Sequence, residues 1–157
     1  MRVLGIDYGM KRIGLAISDP TATIATPLDT LVRRQGKRPP ISKIKSIAIE
    51  KSAGHLVIGL PLNSEGKETE WCEEVRAFGA QLAARMKLQI SFVDERMTSA
   101  HAERIIRSIG LPKTKREDKG RIDAAAAQLI LQHWLVLMKP TICRLRWPDG
   151  SQLLVLC

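Results

Sequence analysis

The 157 residues suit a single domain and can bury a core without disulfides or a structural metal. Apolar residues make up 45% and charged residues 26%, and no apolar run is long enough to span a bilayer. Lys and Arg outnumber Asp and Glu by 25 to 16, a net charge of +9, which points to a polyanionic partner such as nucleic acid.

The opening Arg2-Val3-Leu4-Gly5-Ile6-Asp7 reads as a short apolar strand. Its layout is not that of a signal peptide, because an acid comes before any long apolar region, so a cytoplasmic protein is expected. A turn pivoting on Gly9 leads into a second strand at 13–18, and a third follows at 26–32. Turns this short suit an antiparallel meander. The basic, turn-rich stretch 33–40 reads as an exposed loop. Ile44, Ile47, Ala48 and Lys51 then recur at helical spacing, predicting a helix over 42–53. Residues 55–60 are apolar almost throughout and predict a strand buried on both faces.

Thr69 can cap a second helix, whose inner stripe is Cys72, Val75, Phe78, Gly79, Leu82 and Met86. A fifth strand is predicted over 88–93, and Asp94-Glu95-Arg96 follows it directly. Thr98 or Ser99 caps a helix running to Ile109, and 113–119 reads as a mobile loop. A last helix is predicted from about 120 to 137, with Ile122, Ala125, Ala126, Leu129, Ile130 and His133 facing inward. The order β-β-β-α-β-α-β-α predicts an α/β fold, a five-stranded mixed sheet with helices on both faces. Residues 1–139 form the expected domain, and 140–157 an extension of unassigned role. That tail reads either as a hairpin added to a sheet edge or as a disordered extension. Cys72, Cys143 and Cys157 suit neither a disulfide framework nor a zinc site.

Three acids stand out. Asp7 is embedded in an apolar strand, where a carboxylate needs a cation or hydrogen-bond donors. A strand-end turn could satisfy it as readily as a metal. Glu95 follows a strand that, if parallel to the first, ends on the same edge of the sheet. Asp94 and Glu95 should point to opposite faces, so one of them faces a site there. A solvated loop or a local Glu-Arg pair is the plainer fate of such a tripeptide. Asp123 opens the last helix, where the helix dipole alone would favour an acid. The four alanines after it would also let that helix lie close to the sheet and carry Asp123 towards Asp7.

Three converging acids make a hard-oxygen site suited to Mg2+ or Mn2+, and two ions about 4 Å apart can cleave a phosphodiester. Basic residues fall near all three acids: Lys11, Arg12, Arg96, Lys113, Lys115, Arg116, Lys119 and Arg121 are candidate phosphate contacts. His55, His101 and His133 have no metal-ligand spacing, and His133 reads as a packed core residue. Trp71, Trp134 and Trp147 are too scattered for a base-stacking platform.

Four motifs occur in order: Gly5-Ile6-Asp7-Tyr8-Gly9-x-Lys11-Arg12-Ile13-Gly14-Leu15-Ala16; Val57-Ile58-Gly59-Leu60-Pro61-Leu62-Asn63-x-x-Gly66; Asp94-Glu95-Arg96-x-Thr98-Ser99; and Lys119-x-x-Ile122-Asp123-x-x-Ala126-Ala127-x-x-Ile130-Leu131-Gln132. Together they resemble the YqgF family, also called RuvX, over about residues 2 to 138. The resemblance implies an RNase H-like fold and a nuclease that matures the 5′ end of pre-16S rRNA in the bacterial cytoplasm, with ribosomal particles as further partners. It implies Asp7, Glu95 and Asp123 as the catalytic, metal-binding acids. Relatives of this fold resolve Holliday junctions. Here the fourth strand ends in Gly59-Leu60-Pro61 without a carboxylate, which argues against simple transfer of that activity.

Three other readings stand beside the rRNA nuclease. One is a junction-resolving DNA endonuclease. Another is a non-catalytic RNA-binding module of ribosome assembly. The third is an actin-like kinase or ATPase, which would need a second lobe that this length does not supply. A resolvase would call for a dimer, whereas trimming an RNA end asks only for a monomer.

Overall fold

The computed structural model describes residues 1–33, 38–95, 119–138, 142–146 and 152–156. The elements are strands β1 (Arg2–Tyr8), β2 (Arg12–Ser18), β3 (Ala25–Pro27) and β4 (Leu31–Val32), helix α1 (Ile41–Glu50), β5 (Ala53–Leu60), α2 (Glu70–Met86), β6 (Gln89–Asp94), α3 (Lys119–Leu137), β7 (Ile142–Arg146) and β8 (Gln152–Leu156).

The sheet runs β3-β2-β1-β5-β6, with β4 also paired to β2. β1 and β2 are antiparallel, whereas β1, β5 and β6 are parallel to one another. The mixed sheet is the one expected, with one change. The predicted third strand is two short pieces, because Pro27 has no N–H to donate and the chain bends after it. Leu28 donates to the Leu15 carbonyl at 2.8 Å before the chain returns to β2 as β4.

Alternation along the strands loads both faces. Leu4, Ile6, Tyr8, Leu56, Ile58 and Leu60 point to the side covered by α1 and α2, where Ile44, Val75, Phe78 and Leu82 are buried. Each such side chain contributes about 1.5–3 kcal/mol by leaving water. Val3, Ala16, Val57 and Val93 point the other way and meet Ala127, Ile130, Leu131 and Leu135 of α3. β5 is thus buried on both faces, as its unbroken apolar run predicts.

The inner stripe of α3 departs from the prediction. Ala124, Ala127, Ile130, Leu131 and Leu135 are buried, whereas Ile122 is 41% exposed and Ala125, Ala126, Leu129 and His133 are only half-buried. A run of four alanines carries no polar–apolar contrast, so the phase of the helix cannot be read through it. His133 is therefore not the packed core residue that its place on the expected stripe suggested.

Two polar side chains fix α3 against the edge of the sheet. Gln132 accepts from the Ala25 N–H at 2.9 Å and donates to the Thr23 carbonyl at 3.0 Å. Gln128 donates to the Ala25 carbonyl at 2.8 Å.

β7 and β8 pair antiparallel in a two-stranded sheet of their own. Of the two readings of the tail, the hairpin is the one found, but it does not extend the main sheet. The helix predicted over 98–109 and most of the loop predicted over 113–119 lie outside the described residues; Lys119 is the first residue of α3. Among the described residues no helix is long and apolar enough to cross a membrane.

Candidate active site

The parallel pairing of β1 with β5 and of β5 with β6 brings the ends of all three strands to one edge. Asp7 is the penultimate residue of β1, and Glu95 immediately follows β6, its N–H donating to the Leu60 carbonyl at 3.2 Å. Within β1, Asp7 alternates with Ile6 and Tyr8 of the α1/α2 side and so belongs to the α3 side.

Two glycines make room for the other acids. Gly14 is the cross-strand partner of Asp7, and a Cβ there would collide with the backbone carbonyl of Asp123. The start of α3 therefore lies directly on β2, beside Asp7. A Cβ on Gly59 would likewise collide with the Glu95 carboxylate and meet Ile130 at 2.6 Å. Glu95 thus folds back over β5, on the same side as α3. Neither glycine has an unusual backbone angle that demands glycine, so close approach is the reason for both.

The charges agree with this placement. Burial, then the Asp123 carboxylate, push the Asp7 pKa up to about 6. Burial, then the charges of Asp7 and Asp94, push Glu95 up to about 7. Desolvation and like charges both favour the neutral acid, so this is a site that wants a counter-cation. Asp123 has one: Arg12 Nε donates to its Oδ2 at 2.6 Å. As the side chains stand, no three acids, histidines or cysteines among the described residues are grouped closely enough to hold one metal ion. Asp123 is also the fifth residue of α3, beyond the first turn, so the helix dipole does not account for it.

The structure thus brings Asp7, Glu95, Asp123 and Arg12 to one edge, with Lys11 next to Arg12 in the β1–β2 turn. Arg96, Lys113, Lys115 and Arg116 lie outside the described residues, and for Lys119 and Arg121 only the helical backbone is described.

A support under the site has no local signal in the sequence. Tyr8, next to Asp7, stacks on Phe78 and Trp71 with ring centroids 4.1 and 5.6 Å away. The Arg33 guanidinium lies over Tyr8 at 4.7 Å and over Trp71 at 5.5 Å, and pairs with Glu74. Glu74 also accepts from the Tyr8 hydroxyl at 3.2 Å. These residues come from three distant segments, so no spacing rule could have found them. Arg33 heads the stretch expected to be an exposed loop, yet only 12% of its side chain is exposed.

The family profile described as "RuvX: Holliday junction resolvase" matches residues 1–136. A protein of Maridesulfovibrio salexigens named "Putative pre-16S rRNA nuclease" is 42% identical over 135 residues, which is 86% of this chain and 98% of that one. A Synechococcus protein of the same name is 39% identical over 84% of this chain and 87% of its own. Among solved structures, Thermus thermophilus RuvC aligns with a TM-score of 0.53 and 16% identity over 87% of this chain and 95% of that one. RuvC of that organism in complex with a Holliday junction substrate gives 0.54 and 17%, covering 98% and 99%. At such identity the RuvC structures speak for the fold, which is the RNase H-like architecture expected.

Proposed function

Because this chain belongs to the RuvX family, we propose that it is a metal-dependent nuclease whose substrate is the 5′ extension of pre-16S rRNA, with Asp7, Glu95 and Asp123 as its catalytic acids. The observation that carries this reading is the gathering of the three acids at the edge where the parallel strands end. Buried carboxylates that repel one another fit a hard dication, and Mg2+ or Mn2+, as one ion or a pair, is the matching class. Such ions supply an activated water and offset charge on the leaving oxygen.

The protein's own residues perform the rest. Asp7 on β1 and Glu95 just after β6, with β5 between them, would hold the metal with little freedom to adapt, and Asp123 would join them from α3. Gly14 and Gly59 set how closely the three approach. Lys11 and Arg12 offer positive charge where the phosphodiester must lie, and the +9 net charge draws a polyanion from a distance. Ribosomal particles are the partners implied by such a substrate, and the cytoplasm the compartment. Residues 1–139 carry the activity in this reading, and 140–157 are an extension to it.

Incubation with Mg2+ or Mn2+ and a 5′-extended pre-16S fragment tests the proposal. Wild-type protein should shorten the RNA, and Asp7→Asn should not. Undiminished cleavage by the variant would remove Asp7 from the mechanism. Tight RNA binding without cleavage by either protein would instead favour an assembly module. A four-way DNA junction, run alongside, separates RNA trimming from junction resolution.

A further inference from the structure

The ion pair between Arg12 and Asp123 has a consequence for how the site is loaded. Arg12 is the first residue of β2, and its carbonyl accepts from the Gly9 N–H at 2.9 Å, closing the β1–β2 turn. Two residues on, Gly14 lies against the Asp123 backbone. Both main chains are thus fixed, and only the two side chains are free to change partners. The pair is about one-third exposed on each side, at 33% and 28%, so solvent only partly screens it. The Asp7 carboxylate nonetheless feels Asp123, so the acid paired to Arg12 is still a neighbour of Asp7.

We propose that Arg12 and a divalent cation compete for Asp123: the guanidinium holds this carboxylate until the ion takes it, and is then released to meet a substrate phosphate. The inference rests on the metal-dependent reading above and adds an order to it. Without metal, the guanidinium supplies positive charge at Asp123, and so beside its neighbour Asp7. With metal, that charge is surplus at Asp123 and becomes useful to a phosphate, for which a guanidinium is well shaped. The arrangement also accounts for the lack of a ready three-acid metal cluster among the described residues.

Calorimetric titration with Mg2+, without nucleic acid, tests this on wild type, Arg12→Gln, Lys11→Gln and Asp123→Asn. Lys11 is the control for charge alone, since it makes no ion pair among the described residues. Arg12→Gln should bind Mg2+ about fivefold more tightly than wild type, Lys11→Gln less than about twofold, and Asp123→Asn more weakly. In a nitrogen-15 spectrum, the Arg12 Nε–Hε signal, identified by its loss in Arg12→Lys, should shift when Mg2+ is added and should not shift in Asp123→Asn. Equal or weaker Mg2+ binding by Arg12→Gln would overturn the proposal. So would equal tightening in Lys11→Gln, which would reduce the effect to diffuse charge. If no protein binds Mg2+, the metal-dependent reading falls and the competition with it; if wild type binds and Arg12→Gln matches it, the competition alone falls.

Discussion

Gly14 and Asp123 touch through their backbones, so the distance between β2 and the start of α3 is set by the absence of one methyl group. This contact places the third acid beside the first, because Gly14 is also the strand partner of Asp7. Gly14→Ala should push α3 off the sheet at the end that matters. Overpacking of this kind costs about 1–3 kcal/mol, readable as a lowered denaturation midpoint. Cleavage should fall by more than about tenfold, because sub-ångström positioning decides such reactions. A variant with unchanged stability and rate would show that α3 approaches less closely than described.

Removing one of the proposed catalytic acids should stabilise the metal-free protein. The Asp7 and Glu95 pKa values, pushed to about 6 and about 7, lie above their ordinary values near 4. The folded state therefore binds protons more tightly than the unfolded state. Its stability is greatest, as far as these groups are concerned, below pH 4, and is lost as pH rises through 6 and 7. At pH 8 with EDTA, Asp7→Asn and Glu95→Gln should each melt higher than wild type, by on the order of 1–3 kcal/mol. At pH 4 the advantage should disappear. Lower melting of both variants at pH 8 would mean that these acids are satisfied within the fold.

Much of this was legible in the sequence, for physical reasons that differ by residue. Asp7 could be singled out because a charge in an apolar strand breaks its pattern. Glu95 could be placed from the strand order and the Asp94-Glu95-Arg96 motif on the condition that its strand runs parallel to the first, and β1, β5 and β6 meet that condition. The phase of α3 could not be read, because Ala124 to Ala127 look the same from every side. The partner of Asp123 was equally hidden. Arg12 was expected to meet phosphate, and only the approach of α3 at Gly14 reveals the carboxylate in its path. The support beneath Tyr8 joins residues 8, 33, 71 and 74, and nothing local encodes such a meeting.

That support should be measurable as a coupling. Arg33 is bound on one side to Glu74 and on the other to the rings of Tyr8 and Trp71, so it secures the end of the strand that carries Asp7. A double-mutant cycle with Arg33→Met and Glu74→Gln should give a coupling of about 1 kcal/mol in unfolding free energy. Arg33→Met should also lower the cleavage rate more than it weakens RNA binding, because it loosens Asp7 without touching substrate. A change in binding alone would place Arg33 among the phosphate contacts.

His55 offers a pH dependence of opposite sign to that of the acids. Its ring is buried, stacks on Trp134 with centroids 4.9 Å apart, and shares a hydrogen bond with Ser91 at 2.9 Å. Burial lowers its pKa below the usual 6.5, so the unfolded chain takes up the proton first. Stability from His55 is therefore complete above pH 6.5 and declines as pH falls below it, until the folded histidine also protonates. His55→Phe keeps a ring against Trp134 and removes the titration. Because Asp7 and Glu95 act in the reverse direction over part of the same range, the quantity to follow is the difference in unfolding free energy between wild type and His55→Phe. That difference should move in favour of the variant between pH 7 and pH 5. A difference that stays flat would mean that the fold leaves the His55 pKa where the unfolded chain has it, and a move in favour of wild type would mean that the fold holds the ring protonated, with Ser91 as acceptor.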